Sequence, residues 1–107
     1  MTYTTTFATT EPTRAAVDAL AGPTLLEFGT PWCGYCKAAQ PLLAAALASH
    51  GDIRHLKIED GNGRPLGRAF KVKLWPTLVL LRDGVEIART VRPVSQADID
   101  RLLAMPA

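Results

Sequence analysis

The sequence WCGYCK, at residues 32–37, decides how the rest of this chain of 107 residues is interpreted. It contains both cysteines, Cys33 and Cys36, and it separates an extended apolar run at residues 24–28 from a helical pattern that begins near Tyr35. Two thiols on the first turn of a helix are close enough to form a disulfide. The free N–H groups and partial positive charge of the helix N-terminus favour a thiolate on Cys33, and Cys36 can attack a mixed disulfide formed there. The pattern therefore indicates reversible dithiol–disulfide chemistry.

Two other uses of the cysteines are weaker interpretations. A static structural disulfide is disfavoured because so short a loop constrains the unfolded chain far less than a long loop does. A zinc site is disfavoured because its further ligands would have to be His50 and His55, and their spacing from the cysteines is not that of a zinc ribbon or a zinc finger. We therefore expect no metal and no cofactor other than a redox-active disulfide between Cys33 and Cys36.

The composition is that of an ordinary globular protein. Hydrophobic residues make up 48% of the chain and charged residues 21%, so we expect one domain over residues 1–107, with residues 1–9 as a loose arm or an edge strand. A net charge of +2 without runs of Lys or Arg disfavours nucleic-acid binding. The polar N-terminus lacks the pattern of a secretory leader, and no apolar run is long enough to span a bilayer, which predicts a cytoplasmic protein without membrane contact.

Hydrophobic periodicity and turn signals predict the order helix, strand, helix, strand, helix, strand, strand, helix. The first helix is expected to have Thr10 as its N-cap and to bury Ala15, Ala16, Ala19 and Leu20. The other elements are expected at residues 24–28, 35–50, 53–59, 65–71, 77–81 and 85–91, with a last helix capped by Ser95. A parallel βαβ unit followed by a hairpin at Asp83-Gly84 predicts an α/β fold. It would be a small mixed β-sheet, three core strands plus a hairpin strand, flanked by helices on both faces.

Four features in this order resemble the thioredoxin family. They are WCGYCK at residues 32–37, Pro41 within the following helix, Trp75-Pro76-Thr77 before a strand, and Asp83-Gly84 at a hairpin. The resemblance covers about residues 24–103. It implies the thioredoxin fold and the activity of a thiol–disulfide oxidoreductase that reduces protein disulfides.

The resemblance also implies roles for individual residues. Cys33 corresponds to the exposed attacking thiol and Cys36 to the buried resolving thiol. Pro76 corresponds to the family's cis-proline, and the backbone of Trp75 before it would hydrogen-bond to an extended substrate. The substrate-binding residues implied in this way are Trp32, Gly34, Tyr35, Trp75, Pro76 and Thr77. Simple core packing is the alternative role for the two tryptophans.

Glu27 interrupts the apolar strand six residues before Cys33. It occupies the place of the buried family aspartate that helps to take the proton from the resolving cysteine. A carboxyl group is rarely buried without a partner or a role. We therefore predict Glu27 as the third catalytic residue, serving Cys36 directly or through a water, with His55 or Lys57 as its electrostatic partner. The alternative is a side chain that extends to the end of the sheet and reaches solvent.

The chain also departs from the usual thioredoxin pattern. Gly34-Tyr35 stands between the cysteines where Gly-Pro is usual, and Gly29 stands where a second tryptophan is common. Trp75 replaces a smaller residue before the proline, and Arg92 replaces a glycine on the surface that docks partners. These changes leave the thiol chemistry intact and bear on which partners the chain accepts.

The resulting hypothesis is a monomeric enzyme that reduces protein disulfides and is recycled by an external reductant such as a thioredoxin reductase or glutathione. A glutaredoxin-like or disulfide-isomerase activity is the alternative within the same class. A non-catalytic binding module, or a protein that binds metal through its thiols, is the alternative from a different class. The presence of Cys33, Cys36 and Pro76 disfavours that last alternative.

Overall fold

A computed structural model describes residues 3–106, and there the helices and strands follow the predicted order. The helices are α1 (Arg14–Asp18), α2 (Gly34–Ala48), α3 (Pro65–Ala69) and α4 (Gln96–Leu103), and the strands are β1 (Pro23–Gly29), β2 (Arg54–Glu59), β3 (Thr77–Arg82) and β4 (Val85–Val91). The second and third helices end two residues before their predicted ends. The amides of Ser49 and Lys71, just past these ends, donate to the carbonyls three residues before them, of Ala46 and Arg68, and so close short turns.

The strands form one mixed sheet in the order β2-β1-β3-β4. Strand β1 pairs in parallel with β2 and antiparallel with β3, and β3 and β4 form the antiparallel hairpin. Both central residues of the hairpin turn, Asp83 and Gly84, have positive φ angles of 51° and 82°, as the tightest hairpin turns require. The predicted fold class, a small mixed sheet flanked by helices on both faces, is confirmed.

Strand alternation divides the core between the two faces of the sheet. On one face, Leu25 of β1 packs with α2 and α4, and on the other, Leu26 and Phe28 pack with residues of α1 and α3. Glu27 lies two residues after Leu25, so its side chain points to the same face of the sheet and lies beneath α2. The alternation thus places a carboxylate under the helix that carries the two cysteines.

The first helix differs from its prediction. Its N-cap is Thr13, whose hydroxyl accepts a hydrogen bond from the amide of Ala16 at 3.0 Å, and not Thr10. The helix has five residues, and Val17 is the side chain that it buries completely. The predicted burial of Ala15, Ala16 and Ala19 is wrong. The helix begins after Pro12 and is too short to form a second turn, and all three alanines are exposed.

Residues 3–9 form neither a strand nor a free arm. The amide of Ala8 donates to the carbonyl of Lys57 at 2.9 Å, and the hydroxyl of Thr4 donates to the carbonyl of His55 at 2.8 Å. This N-terminal arm therefore lies along the outer edge of β2 through scattered hydrogen bonds rather than a regular ladder. The first two residues of the predicted arm lie outside the described residues.

Candidate active site

Cys33 is the N-cap of α2. Its backbone is extended, with φ −83° and ψ 121°, and its Sγ accepts a hydrogen bond from the amide of Cys36 at 3.2 Å. This hydrogen bond fixes the sulfur at the N-terminus of the helix. Cys33 is partly exposed, and both thiols are free. Local helix capping therefore places one accessible sulfur where it can attack.

Cys36 lies one turn below and is 2% exposed. Burial is the main cause that raises the pKa of its thiol to about 12, followed by the hydrogen bond with Cys33, while a hydrogen bond from the backbone of Thr30 acts in the opposite direction. The charge of Glu27 is a smaller cause that also raises the pKa. Cys36 is therefore a thiol at neutral pH, and it must lose a proton before it can resolve a mixed disulfide.

Gly29 makes the room for that buried sulfur. A Cβ atom added at Gly29 would lie 2.6 Å from Cys36 Sγ, closer than any normal contact. Gly29, which departs from the usual family pattern, therefore leaves the space that Sγ of Cys36 occupies.

Glu27 is completely buried and has three polar partners. Its Oε1 lies 2.8 Å from Nε2 of His55, and its Oε2 accepts from Nε2 of Gln40 at 2.8 Å and lies 3.8 Å from Nζ of Lys57. Both residues predicted as its possible electrostatic partner, His55 and Lys57, therefore contact the carboxylate. The alternative, a side chain that reaches solvent, is wrong because the alternation of side chains along β1 places Glu27 under α2.

The hydrogen bonds around His55 fix which ring nitrogen carries the proton. The backbone amide of Thr4 donates to Nδ1 at 2.8 Å, so Nδ1 presents a lone pair and Nε2 carries the hydrogen that is donated to Glu27. The ring of Tyr3 stacks on the imidazole with centroids 5.5 Å apart. The N-terminal arm thus orients His55 so that Nε2 faces the carboxylate of Glu27.

Gln40 connects this cluster to the cysteine helix, and sequence reasoning missed it. Its Nε2 also donates to the carbonyl of Cys36 at 2.6 Å, and its Oε1 accepts from Nζ of Lys57 and from the hydroxyl of Tyr3, each at 2.8 Å. Burial, followed by the charge of Glu27, raises the pKa of Tyr3. The only available signal was the spacing of four residues between Cys36 and Gln40, which places them on one helix face.

Among the described residues no direct hydrogen bond joins Glu27 to the thiol of Cys36. A cavity of about 380 Å³ lies between the N-terminal arm and α2, and Cys36, Gln40 and Lys57 are among its lining residues. Thr30 also lines this cavity, and its buried Oγ1 has no hydrogen-bond partner in the described part of the chain. A cavity of this size has room for water beside the thiol.

The loop before β3 faces Cys33. The peptide bond between Trp75 and Pro76 is cis, and Cys33 Sγ lies 4.0 Å from the carbonyl oxygen of Trp75. The indole of Trp75 donates to Oδ2 of Asp60 at 2.8 Å and meets the ring of Trp32 edge-on, with centroids 5.6 Å apart. These contacts hold the backbone of Trp75 next to the attacking sulfur.

The predicted substrate-binding residues fall into two groups. Trp32 and Tyr35 are 68% and 60% exposed, and Gly34 is also exposed, so core packing is excluded as the role of Trp32. Pro76 is buried behind the loop. The side chain of Thr77 does not meet solvent, which corrects its prediction: it is 1% exposed, and its hydroxyl donates to the carbonyl of Leu74 at 2.6 Å.

Leu74 and Arg92 extend this surface. Leu74 is 49% exposed, and the sequence analysis did not predict it as part of the surface. Arg92 donates from Nε to the carbonyl of Trp75 at 2.9 Å, and its guanidinium lies 4.0 Å from the centre of the Tyr35 ring. The partly exposed thiol of Cys33 therefore lies beside exposed apolar and aromatic side chains and the guanidinium of Arg92.

An exposed sulfur on a helix N-terminus, with a buried second thiol one turn below, defines the class of thiol–disulfide oxidoreductases. The described residues contain no group of three or more His, Cys, Asp or Glu arranged to hold a metal ion, and no helix among them is long and apolar enough to cross a bilayer. His55, a candidate zinc ligand in the alternative interpretation, has both ring nitrogens engaged with Glu27 and Thr4. The chemistry of the site is that of a dithiol.

Comparisons with known proteins agree with this class. The thioredoxin family model matches residues 5–105. Over 76 residues the chain is 38% identical to a thioredoxin of Chlamydia trachomatis, covering 69% of this chain and 74% of that protein. The structure of thioredoxin 2 from Pseudomonas aeruginosa in its reduced form superposes with a TM-score of 0.84 at 55% identity, covering 94% of this chain and 93% of that one. Similarity to protein disulfide-isomerase A2 of Pongo abelii, 42% over 64 residues, covers only 12% of that protein.

The chain therefore belongs to the thioredoxin family. It is a thiol–disulfide oxidoreductase of the protein-disulfide reductase type, and the glutaredoxin-like, isomerase and non-catalytic alternatives are not favoured.

Proposed function

We propose that Cys33 attacks protein disulfides and that Cys36 resolves the product. The thiolate of Cys33 forms a bond to one substrate sulfur, the substrate S–S bond breaks, and the departing sulfur takes a proton. Cys36 then attacks Sγ of Cys33, which releases the second substrate sulfur and leaves an intramolecular disulfide. Two electrons pass from the dithiol to the substrate. The observation that carries this assignment is the difference between a capped, accessible Cys33 and a Cys36 that is 2% exposed.

Glu27 is the proton acceptor for Cys36 in this proposal. The thiol has a pKa raised to about 12, so a base is needed for a fast resolving step near pH 7. With no direct hydrogen bond between the two among the described residues, the proton passes through water in the cavity beside Cys36. His55, Gln40 and Lys57 are positioning residues, since each holds the carboxylate rather than the reacting sulfur.

The substrate binds across the exposed aromatic surface. Trp32, Gly34 and Tyr35 lie on one side of Cys33, and Trp75 lies on the other, followed by the buried Pro76. An extended substrate segment would hydrogen-bond to the backbone of Trp75, which already lies 4.0 Å from the sulfur. Thr77 contributes by fixing the loop through its bond to the carbonyl of Leu74.

We further propose that residues 1–107 act as one domain and as a monomer in the cytoplasm, with no cofactor beyond the disulfide. An external donor, a thioredoxin reductase or glutathione, would return the disulfide to the dithiol. The absence of basic runs disfavours a nucleic-acid partner.

Trapping of the mixed disulfide tests the proposal. Replacement of Cys36 by Ser removes the resolving sulfur and keeps the capped Cys33, so a protein disulfide substrate should remain covalently attached to Cys33. The adduct is measured by mass spectrometry of the intact protein, with Cys33→Ser as the matched control that forms no adduct. An adduct through Cys36 in the Cys33→Ser variant, at a comparable rate, would contradict the assigned roles.

A further inference from the structure

Arg92 follows the end of β4 and reaches back over the active site. Its Nε donates to the carbonyl oxygen of Trp75 at 2.9 Å, the same oxygen that lies 4.0 Å from Sγ of Cys33. Its guanidinium plane is held 4.0 Å from the centre of the exposed Tyr35 ring. Both contacts fix the orientation of a long side chain that would otherwise sample many rotamers. The guanidinium is therefore pre-positioned beside the site of disulfide exchange.

Arg92 has no carboxylate partner among the residues that the structure describes. Four other arginines have a carboxylate partner, among them Arg89 with Glu86 and Arg101 with Asp98, whereas Arg54, Arg68 and Arg82 have none among the described residues. Arg92 uses Nε alone in its hydrogen bond, so both Nη groups keep their donors. Two parallel N–H donors on a planar guanidinium match the two oxygens of a carboxylate.

The backbone at Arg92 is in a conformation that favours glycine. Its φ angle is +50°, and its amide donates to the carbonyl of Pro76 at 2.9 Å, so the turn is fixed at this residue. A residue with a Cβ atom is strained in this region, and such strain tends to occur at functional sites. A large charged side chain at this position gives the fold no ion pair within the described residues. The guanidinium therefore remains able to pair with a carboxylate of a bound segment.

We propose that Arg92 selects disulfide substrates that carry a carboxylate next to the attacked cysteine. The inference rests on the proposed function, because it concerns the substrate of the same site. A carbonyl oxygen has two lone pairs, so the carbonyl of Trp75 can accept from a substrate amide while it keeps the bond from Arg92. The Nη groups then meet an acidic side chain of the bound segment. The aromatic surface supplies contact area, and Arg92 supplies the preference for an acidic sequence.

Peptide pairs test the proposal. Two peptides of the same sequence, each with one disulfide, carry either Glu or Gln beside the attacked cysteine, and kcat/KM is measured for each at low salt. We expect the wild-type protein to favour the Glu peptide by about threefold to tenfold, the range of a partly exposed charge-assisted pair. High salt should reduce the ratio because the pair is screened.

Arg92→Gly should abolish the preference, so that the ratio of kcat/KM for the Glu peptide to kcat/KM for the Gln peptide falls to about one. This variant should fold well because glycine suits a φ angle of +50°. Lys71→Gly is the matched control: it removes one positive charge from another left-handed position, with φ +58°, and should keep the preference. Equal kcat/KM for both peptides in the wild type, or an equal change for both in Arg92→Gly, would overturn the proposal. Failure of the wild type to reduce either peptide would contradict the proposed function itself.

Discussion

The sharpest prediction concerns Glu27→Gln and the resolving step. Burial raises the pKa of the Cys36 thiol, to about 12 in the dithiol form, so resolution without a base would be slow at pH 7. Removal of the carboxylate removes the base, and we expect the resolving rate at pH 7 to fall by about 10²- to 10³-fold. The rate should then rise nearly tenfold for each pH unit between 6 and 9, since hydroxide must take the proton instead.

Whether the resolving rate falls or rises in Glu27→Gln distinguishes a proton-accepting role of Glu27 from a purely electrostatic one. The negative charge of Glu27 contributes to raising the pKa of Cys36, so its loss alone would make the thiolate easier to form. If Glu27 acted only through its charge, Glu27→Gln would resolve mixed disulfides faster than the wild type. If Glu27 accepts the proton, the same variant is slower.

An aromatic disulfide that releases a coloured thiolate at each step makes the two reactions visible in a stopped-flow experiment. The first phase reports attack by Cys33 and should change little in Glu27→Gln, whereas the second phase reports resolution by Cys36. Glu59→Gln is the matched control, because it makes the same chemical change at the end of β2, where Glu59 pairs with Arg64. An unchanged or faster second phase from pH 6 to 9 would refute the proton-transfer role.

Three further predictions follow from the same site. Gly29→Ala places a Cβ atom 2.6 Å from Cys36 Sγ, so urea unfolding of the reduced protein should show a loss of about 1–3 kcal/mol from overpacking. Trp75→Ala should raise KM for protein disulfides while small aromatic disulfides react at nearly the wild-type rate; equal losses on both would argue against a docking surface. The pKa of Cys36 is raised in the folded state, so its contribution to the stability of the reduced protein is complete below about pH 9 and is lost as pH rises toward about 12. Thermal unfolding of the wild type compared with Cys36→Ala, over that pH range, measures this loss, and parallel pH profiles would contradict it.

The sequence could predict the fold because its local signals agree with one another. An apolar run, the glycine and proline punctuation and the Asp83-Gly84 turn each act over a few residues, and each suits the same α/β arrangement. The first helix was harder to predict. Thr10 and Thr13 both have hydroxyls able to cap a helix, and it is Thr13 that does so in the structure.

The active site shows a similar division. Cys33, Cys36 and Glu27 could be found because a dithiol motif and a carboxyl group in an apolar strand stand out in a linear sequence. Gln40 and Thr4 could not, because a surface-type amide and an N-terminal threonine gain their roles only when the arm folds along β2 and below α2. The contact of Arg92 with Trp75 likewise joins two loops whose relation depends on the register of β3 and β4.

The reduction potential of the Cys33–Cys36 pair tests the central claim, that this chain is a reductase of protein disulfides, most directly. Equilibration in glutathione buffers, followed by thiol alkylation and intact mass measurement, gives the fraction oxidised at each ratio. We expect a reduction potential near about −270 mV, at which the dithiol is a strong reductant. A value between about −180 and −120 mV, typical of isomerases and oxidants, would contradict it.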